Sequence, residues 1–156
     1  MGSNIGRRPD NLRRAARHLA LHPDIRVVGA SFLYNTTPVG YTAQRDFLNG
    51  VVEIRTPMAP EELLHVLQEV EEIMGKEVLF LGGPRKIDID VLLYGKRIVK
   101  ERKLVVPHPR LHERAFVLVP LAELAPSVVH PVFGKTASRL LREYGGRENV
   151  RLWGAL

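Results

Sequence analysis

Residues 86–93, KIDIDVLL, alternate apolar and polar side chains, and this pattern constrains the fold more than any other in the chain. Ile87 and Ile89 occupy every second position, as in a β-strand that buries one face. Asp88 and Asp90 occupy the opposite face, although aspartate is disfavoured in strands. The segment therefore predicts a strand that is anchored by its apolar face and presents two carboxylates on the other.

The rest of the chain divides into helical and strand-like segments. Helices are predicted where apolar residues recur every three or four positions, and strands where β-branched and aromatic residues are enriched. Stretches rich in Thr, Pro and Gly separate them. In chain order the sequence predicts a helix over 9–21, strands over 25–34 and 47–55, a helix over 60–74, strands over 86–93 and 103–106, and helices over 116–124 and 136–144.

This order of elements is typical of the α+β class, with helices packed on a mainly antiparallel sheet. The length of 156 residues predicts a single domain spanning 1–156. A strand before the first helix would complete a β-α-β-β-α-β, ferredoxin-like unit. The sequence offers no residues for that strand ahead of MGSNIG, so the first strand is expected to be missing.

The opening stretch MGSNIG consists of loop-forming residues that lead into the first helix. It has three interpretations: a cloning remnant, a lipid-attachment signal, or a genuine turn. Myristoylation calls for Ser or Thr at the sixth position, where this chain has Gly6. This excludes the lipid signal and leaves two interpretations, a cloning remnant and a turn whose leading strand is absent.

Composition limits the classes of function. The chain has no cysteine, which excludes disulfides and thiolate metal sites and is compatible with the cytoplasm. No apolar run approaches the ~20 residues of a membrane span, and no secretory signal is recognisable. The net charge of +6 favours polyanionic partners such as nucleotides, nucleic acid or a membrane surface.

The two aspartates of KIDIDVLL are candidate ligands for a hard cation, because residues two apart on a strand share a face about 6.6–7 Å apart. The alternative is an exposed polar face. Arg85 precedes them, and the stretch VPHPRLHER supplies His108, Arg110 and Arg114. Cations opposite metal-bound carboxylates indicate a polyphosphate site. The sequence has no Walker A or dinucleotide-binding motif, so such a site would be of another class.

Several aromatic, amide and histidine side chains are candidates for either a structural or a functional role. Phe47 and Phe116 are core candidates by default. Asn49 is unusual in a predicted strand, and either pairs with a planar heterocycle or satisfies backbone groups. His108 and His112 have the i, i+4 spacing of helical metal ligands, but the prolines beside His108 disfavour the helix that this requires.

Taken together, these segments resemble one family, the 6-hydroxymethyl-7,8-dihydropterin pyrophosphokinases of folate synthesis. The resemblance covers about residues 2–126 and rests on the ordered motifs GSN, YNTTPVG, DFLN, APEELL, GPRKIDIDVLLYG and VPHPRLHERAFVLVPLAELAP. It implies a ferredoxin-like α+β sandwich. It also implies an enzyme that transfers pyrophosphate from ATP to the hydroxymethyl group of the pterin and releases AMP.

The resemblance also implies roles for individual residues. Asp88 and Asp90 would bind two Mg²⁺ ions, and Arg85 and Lys76 would complete the catalytic group. The residues implied for the pterin are Thr36, Thr37, Val39, Phe47, Asn49 and Phe116. Those implied for ATP are Gln68, Glu71, Arg85, Val91, Lys103, His108 and Arg114. The expected partners are these small molecules rather than nucleic acid or a membrane, and the expected state is a monomer, with a dimer left open.

The chain departs from the family pattern in several places. Lys76 stands where the first arginine of the catalytic loop is usual, and EVLFLG after it is apolar and shorter. Phe47 stands where tyrosine is common, and Lys103 and Val105 replace a basic and a polar nucleotide contact. Family members also carry an internal strand immediately before GSN. Without it a ladder of backbone groups lacks partners, so we expect a gap in the sheet beside Met1 or a partner chain that fills it.

Three functions follow as hypotheses. The first is an active pyrophosphokinase. The second, suggested by the altered loop, is a weakly active or inactive member that binds pterin or nucleotide. The third, suggested by the charge, is a basic nucleic-acid-binding domain, although the stacking motif of the RNA-recognition fold is missing. The basic stretch 96–103 receives no predicted role, and in the tail after Tyr144 only Trp153 does, as a packing residue.

Overall fold

A computed structural model of the chain describes residues 1–77, 80–147 and 149–156. The helices are α1 (Arg8–Leu21), α2 (Pro60–Ile73), α3 (Ala115–Leu124) and α4 (Ala137–Tyr144). The strands are β1 (Gly2–Ser3), β2 (Arg26–Ala30), β3 (Phe32–Thr36), β4 (Phe47–Asn49), β5 (Val52–Arg55), β6 (Val99–Lys100), β7 (Val105–Val106), β8 (Val129–His130), β9 (Lys135–Thr136) and β10 (Val150–Ala155). A 3₁₀ turn, Leu111–Glu113, precedes α3. The α+β class is confirmed, and none of the described helices is long and apolar enough to cross a membrane.

The main sheet contains four antiparallel strands in the order β1-β4-β3-β10. β1 pairs with β4, where Gly2 lies opposite Asn49, and on its other side with Asp88. β3 pairs with β4 and β10, so that Thr36 lies opposite Val150. The further pairs β2–β5, β6–β7 and β8–β9 are also antiparallel. The sheet therefore contains strands from both ends of the chain, with β1 beside the segment that carries the aspartates and β10 at the opposite edge.

Two clusters of buried apolar residues occupy opposite faces of the sheet. The first cluster contains side chains of α1 and α2, and the second those of α3 and α4. Neighbouring sheet residues divide between them: Leu33 belongs to the first cluster and Tyr34 to the second, as do Val91 and Leu92 respectively. Because successive side chains of an extended segment point to opposite faces, each face is covered by its own pair of helices.

The predicted helices are confirmed, and residues at their ends explain why the sequence could predict them. Pro9 and Pro60 lie in the first turns of α1 and α2, where a missing N–H group is tolerated. The Glu62 carboxylate accepts a hydrogen bond from the backbone N–H of Ala59 at 2.7 Å, which caps α2. Gly75, with φ of +74°, lets the chain turn away at its end.

The two long strands predicted over 25–34 and 47–55 are each broken. The first divides at Ser31 into β2 and β3, and the second divides after Asn49 into β4 and β5. The Ser31 hydroxyl donates to the carbonyl of Phe32 at 2.7 Å and accepts from the N–H of Val51 at 2.9 Å. This side chain replaces ladder hydrogen bonds at the point where the partners of each strand change. The strand predicted over 103–106 is limited to β7, which pairs with the unpredicted β6.

The segment KIDIDVLL is extended but is not a regular strand, which corrects the prediction. Its side chains alternate as expected, with Ile87 and Ile89 buried and Asp88 and Asp90 more exposed. The N–H and carbonyl of Asp88 pair with Gly2 at 2.9 and 2.8 Å. Because β1 is only two residues long, it offers no partner to the residues after Asp88.

The turn predicted at MGSNIG begins later than expected. Gly2–Ser3 form β1 inside the sheet, and only residues 4–7 turn into α1. A Cβ on Gly2 would lie 2.5 Å from Oδ1 of Asn49, so glycine leaves room for the buried Asn49 amide beside β1. A cavity of about 440 Å³ adjoins Met1 and is lined by β5 and residues 89–93. A strand therefore precedes α1, contrary to the expectation that the first strand is missing, although it is only two residues long.

The tail contributes β10, which the sequence did not predict. Trp153 is 45% exposed, so it is only partly a packing residue. The Arg13 guanidinium lies 5.9 Å from the centroid of its ring, a distance typical of a cation–π contact.

Candidate active site

A second cavity of about 440 Å³ lies where β1, β3 and β4 meet residues 88–92 and the loop before α3. Eleven of the predicted site residues line it: Thr36, Thr37, Val39, Phe47, Asn49, Arg85, Asp88, Asp90, His108, Arg114 and Phe116. The sequence missed Leu81, Gly82 and Gly50 among its walls, and did not assign Arg110, which also lines it. We call this space the active-site cavity. It brings together segments that are distant in the chain.

One end of the active-site cavity is aromatic and carries a fixed amide. Phe47 and Phe116 are both half-buried in its wall. The Nδ2 group of Asn49 donates to Oγ1 of Thr36 at 2.7 Å, which fixes the orientation of the buried amide. The Arg114 guanidinium lies 5.5 Å from the centroid of the Phe116 ring. Apolar walls with a few oriented polar groups are suited to a planar heterocycle.

Asn4 ties together the two loops that border this cavity. Its Nδ2 group donates to Oε1 of Gln44 at 2.8 Å and to the carbonyl of Arg45 at 3.1 Å. Its Oδ1 atom accepts from the N–H of Arg85 at 2.7 Å. The Gln44 side chain in turn donates to the carbonyl of Gly82 at 2.9 Å. The loop 37–46 and the loop 80–85 are therefore held to each other through the buried amide of Asn4 and by a direct bond from Gln44.

The loop 37–46 is also fixed at its base by Arg8. The Nη1 atom of Arg8 donates to Oδ1 of Asn35 and to the carbonyl of Asp46, each at 2.7 Å. The Nδ2 group of Asn35 completes the ring by donating to Oδ2 of Asp46 at 2.7 Å. These contacts hold both ends of the loop. No short motif in the sequence predicts them.

The two aspartates differ in their surroundings. Oδ1 of Asp88 accepts a hydrogen bond from Nζ of Lys76 at 2.8 Å, and Oδ2 accepts one from Nη1 of Arg85 at 2.7 Å. Asp90 is exposed and makes no side-chain hydrogen bond to any residue that the structure describes. Asp88 is thus held in place by two cations, whereas the Asp90 carboxylate faces the cavity directly.

Behind Asp88, Lys76 and Glu71 form a buried ionic contact. Nζ of Lys76 lies 2.8 Å from Oε2 of Glu71, and Oε1 of Glu71 accepts from the N–H of Ile89 at 2.6 Å. Burial raises the pKa of Glu71, against the hydrogen bonds from Lys76 and Ile89. Burial acts to lower the pKa of Lys76, but its bonds to Asp88 and Glu71 outweigh this and raise it. Glu71 therefore fixes the backbone between the two aspartates.

Basic side chains line the side of the cavity near the aspartates. The N–H of Arg110 donates to Nδ1 of His108 at 3.1 Å, which leaves Nε2 as the protonated nitrogen of a neutral ring. Burial lowers the pKa of His108, while the charge of Asp90 opposes this. Burial and the neighbouring Arg110 lower the pKa of Arg114. The side chains offer N–H donors to an anionic ligand.

Five predicted site residues are not among those that line the active-site cavity. Lys76 and Glu71 lie behind Asp88, and Gln68 and Lys103 are exposed elsewhere. Val91 lines the cavity beside Met1. Their predicted contacts with ATP remain predictions. The family resemblance assigned these residues to the nucleotide site by their position in the motifs, and motif position alone does not show which cavity a side chain lines.

Comparison with known proteins identifies the family of this chain. The family described as 7,8-dihydro-6-hydroxymethylpterin-pyrophosphokinase (HPPK) matches residues 1–126. The chain belongs to this family. Its resemblance to the family is thereby confirmed, and the match ends before β10.

Relatives of similar length support the assignment. The chain is 44% identical over 153 residues to the 2-amino-4-hydroxy-6-hydroxymethyldihydropteridine pyrophosphokinase of Bacillus subtilis, covering 98% of this chain and 87% of the relative. It is 47% identical over 141 residues to the protein of that name from Methylorubrum extorquens, covering 90% and 88%.

A solved structure supports the fold alone. The crystal structure of a Plasmodium falciparum HPPK-DHPS triple mutant with pteroate aligns with a TM-score of 0.67 at 16% identity. The alignment covers 92% of this chain and 42% of that longer one. The helices and sheet described above therefore have the arrangement of this HPPK-containing protein.

Proposed function

We propose that this HPPK-family chain transfers the pyrophosphoryl group of ATP to the hydroxyl of 6-hydroxymethyl-7,8-dihydropterin and releases AMP, a step of folate synthesis. The observation that carries the proposal is the active-site cavity, which joins an aromatic end to a pair of carboxylates faced by basic side chains. Relatives that cover nearly the whole chain carry the name of this enzyme.

The aromatic end supports the pterin part of the proposal. Phe47 and Phe116 would stack on the two faces of the heterocycle, and Asn49 would contact its edge. The backbone at Thr36, Thr37 and Val39 would complete the pocket, since these residues line the same end. Phenylalanine at position 47 supplies the same stacking surface as tyrosine.

The basic side supports the phosphate part. Arg85, His108 and Arg114 are assigned to the ATP phosphates, with Arg110 as a further donor. The substrate hydroxyl oxygen would form a bond to the β-phosphorus, and the bond from that phosphorus to the oxygen of the α-phosphate would break. AMP would leave with that oxygen and the hydroxyl proton would pass to water. The protein contributes mainly by positioning the two substrates.

The donor set is compatible with Mg²⁺ that arrives with a nucleotide. Asp88 and Asp90 supply two carboxylates, and no group of three or more His, Cys, Asp or Glu residues suited to a metal occurs in the described part of the chain. Mg²⁺ is commonly held by one or two carboxylates together with substrate phosphates. We propose that these aspartates hold two Mg²⁺ ions, which would neutralise phosphate charge and lower the pKa of the attacking hydroxyl.

The decisive experiment is a coupled assay of AMP formation with ATP, Mg²⁺ and the dihydropterin. We expect AMP at a rate that depends on both substrates and disappears in Asp90→Ala. The alternative is a binding protein that transfers poorly. It is favoured by the loop after α2, where Phe80 and Leu81 are exposed at 46% and 98% and Lys76 is engaged by two carboxylates. Calorimetric binding of both substrates without AMP would establish that alternative.

We further propose that the partners of the chain are these small molecules alone, that it acts as a monomer, and that it acts in the cytoplasm. Its net charge of +6 then serves to attract ATP. Salt-sensitive RNA binding that persists in Asp90→Ala, together with a failed AMP assay, would favour the nucleic-acid hypothesis instead.

A further inference from the structure

Both oxygens of Asp88 are already occupied by cationic side chains. Nζ of Lys76 lies 2.8 Å from Oδ1, and Nη1 of Arg85 lies 2.7 Å from Oδ2. The contact with Lys76 is partly shielded from water, since the side chains of Lys76 and Asp88 are 20% and 23% exposed. A divalent ion bound through Oδ1 would lie close to this ammonium group and compete with it for the negative charge of the same oxygen.

Lys76 has a second partner that would keep it in place without Asp88. Its ammonium group is shared with Oε2 of Glu71, also at 2.8 Å. Its backbone N–H donates to the carbonyl of Glu71 at 2.9 Å, immediately after the glycine turn that ends α2. The ammonium group could therefore leave Asp88 without losing its contact with Glu71.

We propose that Lys76 is a tethered counter-ion of Asp88 that competes with the divalent metal, so that Asp88 becomes available only when Lys76 withdraws. The inference rests on the proposed function in one respect, that a divalent ion binds at Asp88 and Asp90. Lys76 thereby holds Asp88 in position and suppresses metal binding before the nucleotide arrives.

This competition couples the metal to the nucleotide. ATP phosphates offer Lys76 and Arg85 other anionic partners, so nucleotide binding would weaken their hold on Asp88. By linkage, nucleotide and metal must then raise the affinity of each other by the same factor. If Lys76 occupies Asp88 in about nine of ten molecules, the apparent metal affinity is lowered about tenfold.

The test measures the binding of Mn²⁺ alone, from the electron paramagnetic resonance signal of the free ion. We expect Lys76→Met to bind Mn²⁺ about tenfold more tightly than the wild-type chain. The matched control is Lys96→Met, which removes the same charge from an exposed turn and is expected to change the affinity little. Adding Asp88→Asn to Lys76→Met is expected to abolish the gain, since the gain depends on that carboxylate.

A second variant is needed in case Lys76→Met does not fold. Lys76→Met leaves the Glu71 carboxylate buried without its cation, whereas Lys76→Met with Glu71→Gln removes both charges. Thermal unfolding identifies the variant suited to the measurement, and the same gain is expected from it. With a non-hydrolysable ATP analogue present, Mn²⁺ affinity should rise more in the wild-type chain than in this variant.

Several results would overturn the proposal: an unchanged or weaker Mn²⁺ affinity in the folded Lys76 variants, or an equal gain in Lys96→Met. The proposal would also be overturned if neither the wild-type chain nor any variant bound Mn²⁺. The AMP assay separates that outcome from the proposed function, because AMP formation by the wild-type chain would leave the function standing without a competing lysine.

Discussion

Replacing Asn4 by alanine tests whether the two loops at the cavity act as one unit. The change removes three side-chain hydrogen bonds, to Gln44, Arg45 and the N–H of Arg85, at 2.8, 3.1 and 2.7 Å. The backbone bond from the N–H of Asn4 to the carbonyl of Arg85 remains. At about 1 kcal/mol for each bond, we expect a loss of about 3 kcal/mol in the free energy of unfolding. For a chain of this size the melting temperature falls by about 6–12 °C.

The expected effect on activity exceeds what this loss of stability explains. Asn4 joins the loop 37–46, which contributes to the aromatic end of the cavity, to the loop that carries Arg85. Loosening it misplaces the substrates relative to each other, and a displacement of about 1 Å costs about 100-fold in rate. The assay is AMP formation at a temperature where the variant is fully folded, with circular dichroism to verify folding.

Two further variants divide the effect between the loops. Asn4→Asp keeps the oxygen that accepts from Arg85 and removes the donor to Gln44 and Arg45. Gln44→Ala removes the contact from the other side and leaves Arg85 untouched. We expect both to lower kcat/KM. If Asn4→Ala lowers the melting temperature while the folded protein retains wild-type kcat/KM, the loops are not coupled and the reasoning is refuted.

Three other predictions each rest on the surroundings of a single residue. Asp90→Ala removes an exposed carboxylate, so we expect the free energy of unfolding to change by no more than about 0.5 kcal/mol while turnover falls by orders of magnitude. A large fall in melting temperature together with the loss of AMP formation would contradict this. Gly2→Ala places a Cβ 2.5 Å from Oδ1 of Asn49, so calorimetry should show weaker pterin binding, and adding Asn49→Ala should recover the melting temperature but not the binding. Burial lowers the pKa of His130 below its usual 6.5, and the nearby His112 lowers it further. The folded chain therefore binds fewer protons than the unfolded chain, and the free energy of unfolding falls as the pH drops below about 6.5. His130→Asn should flatten this slope in melting curves at successive pH values, and an unchanged slope would assign it to other groups.

The helices and most of the cavity were predictable because their signals are local. Pro60, Glu62 and Gly75 mark the ends of α2 in the sequence itself. The motif residues of the aromatic end, such as Phe47 and Asn49, needed only to be recognised, and the fold then brought them together.

The remaining features depend on neighbours that are distant in the chain. KIDIDVLL has the alternation of a strand, but pairing depends on β1, which reaches only as far as Asp88. The break at Ser31 coincides with its hydrogen bond from Val51, which lies between β4 and β5, rather than with any local breaker in the sequence. Asn4 likewise reads as a turn residue, and its role depends on Gln44 and Arg85, which only the folded chain places beside it.

β10 lies beyond residues 1–126, which match the family model, yet it supports a wall of the cavity. Val150 pairs with Thr36, and the carbonyl of Asn149 accepts from the N–H of Thr37 at 3.3 Å. A shortened protein ending at residue 126 would keep every motif and lose this edge of the sheet. Substitutions in the tail can also move the backbone at Thr36 and Thr37 while all recognised motif residues stay the same. Substrate fit can therefore evolve, or be engineered, through a segment that no motif search inspects.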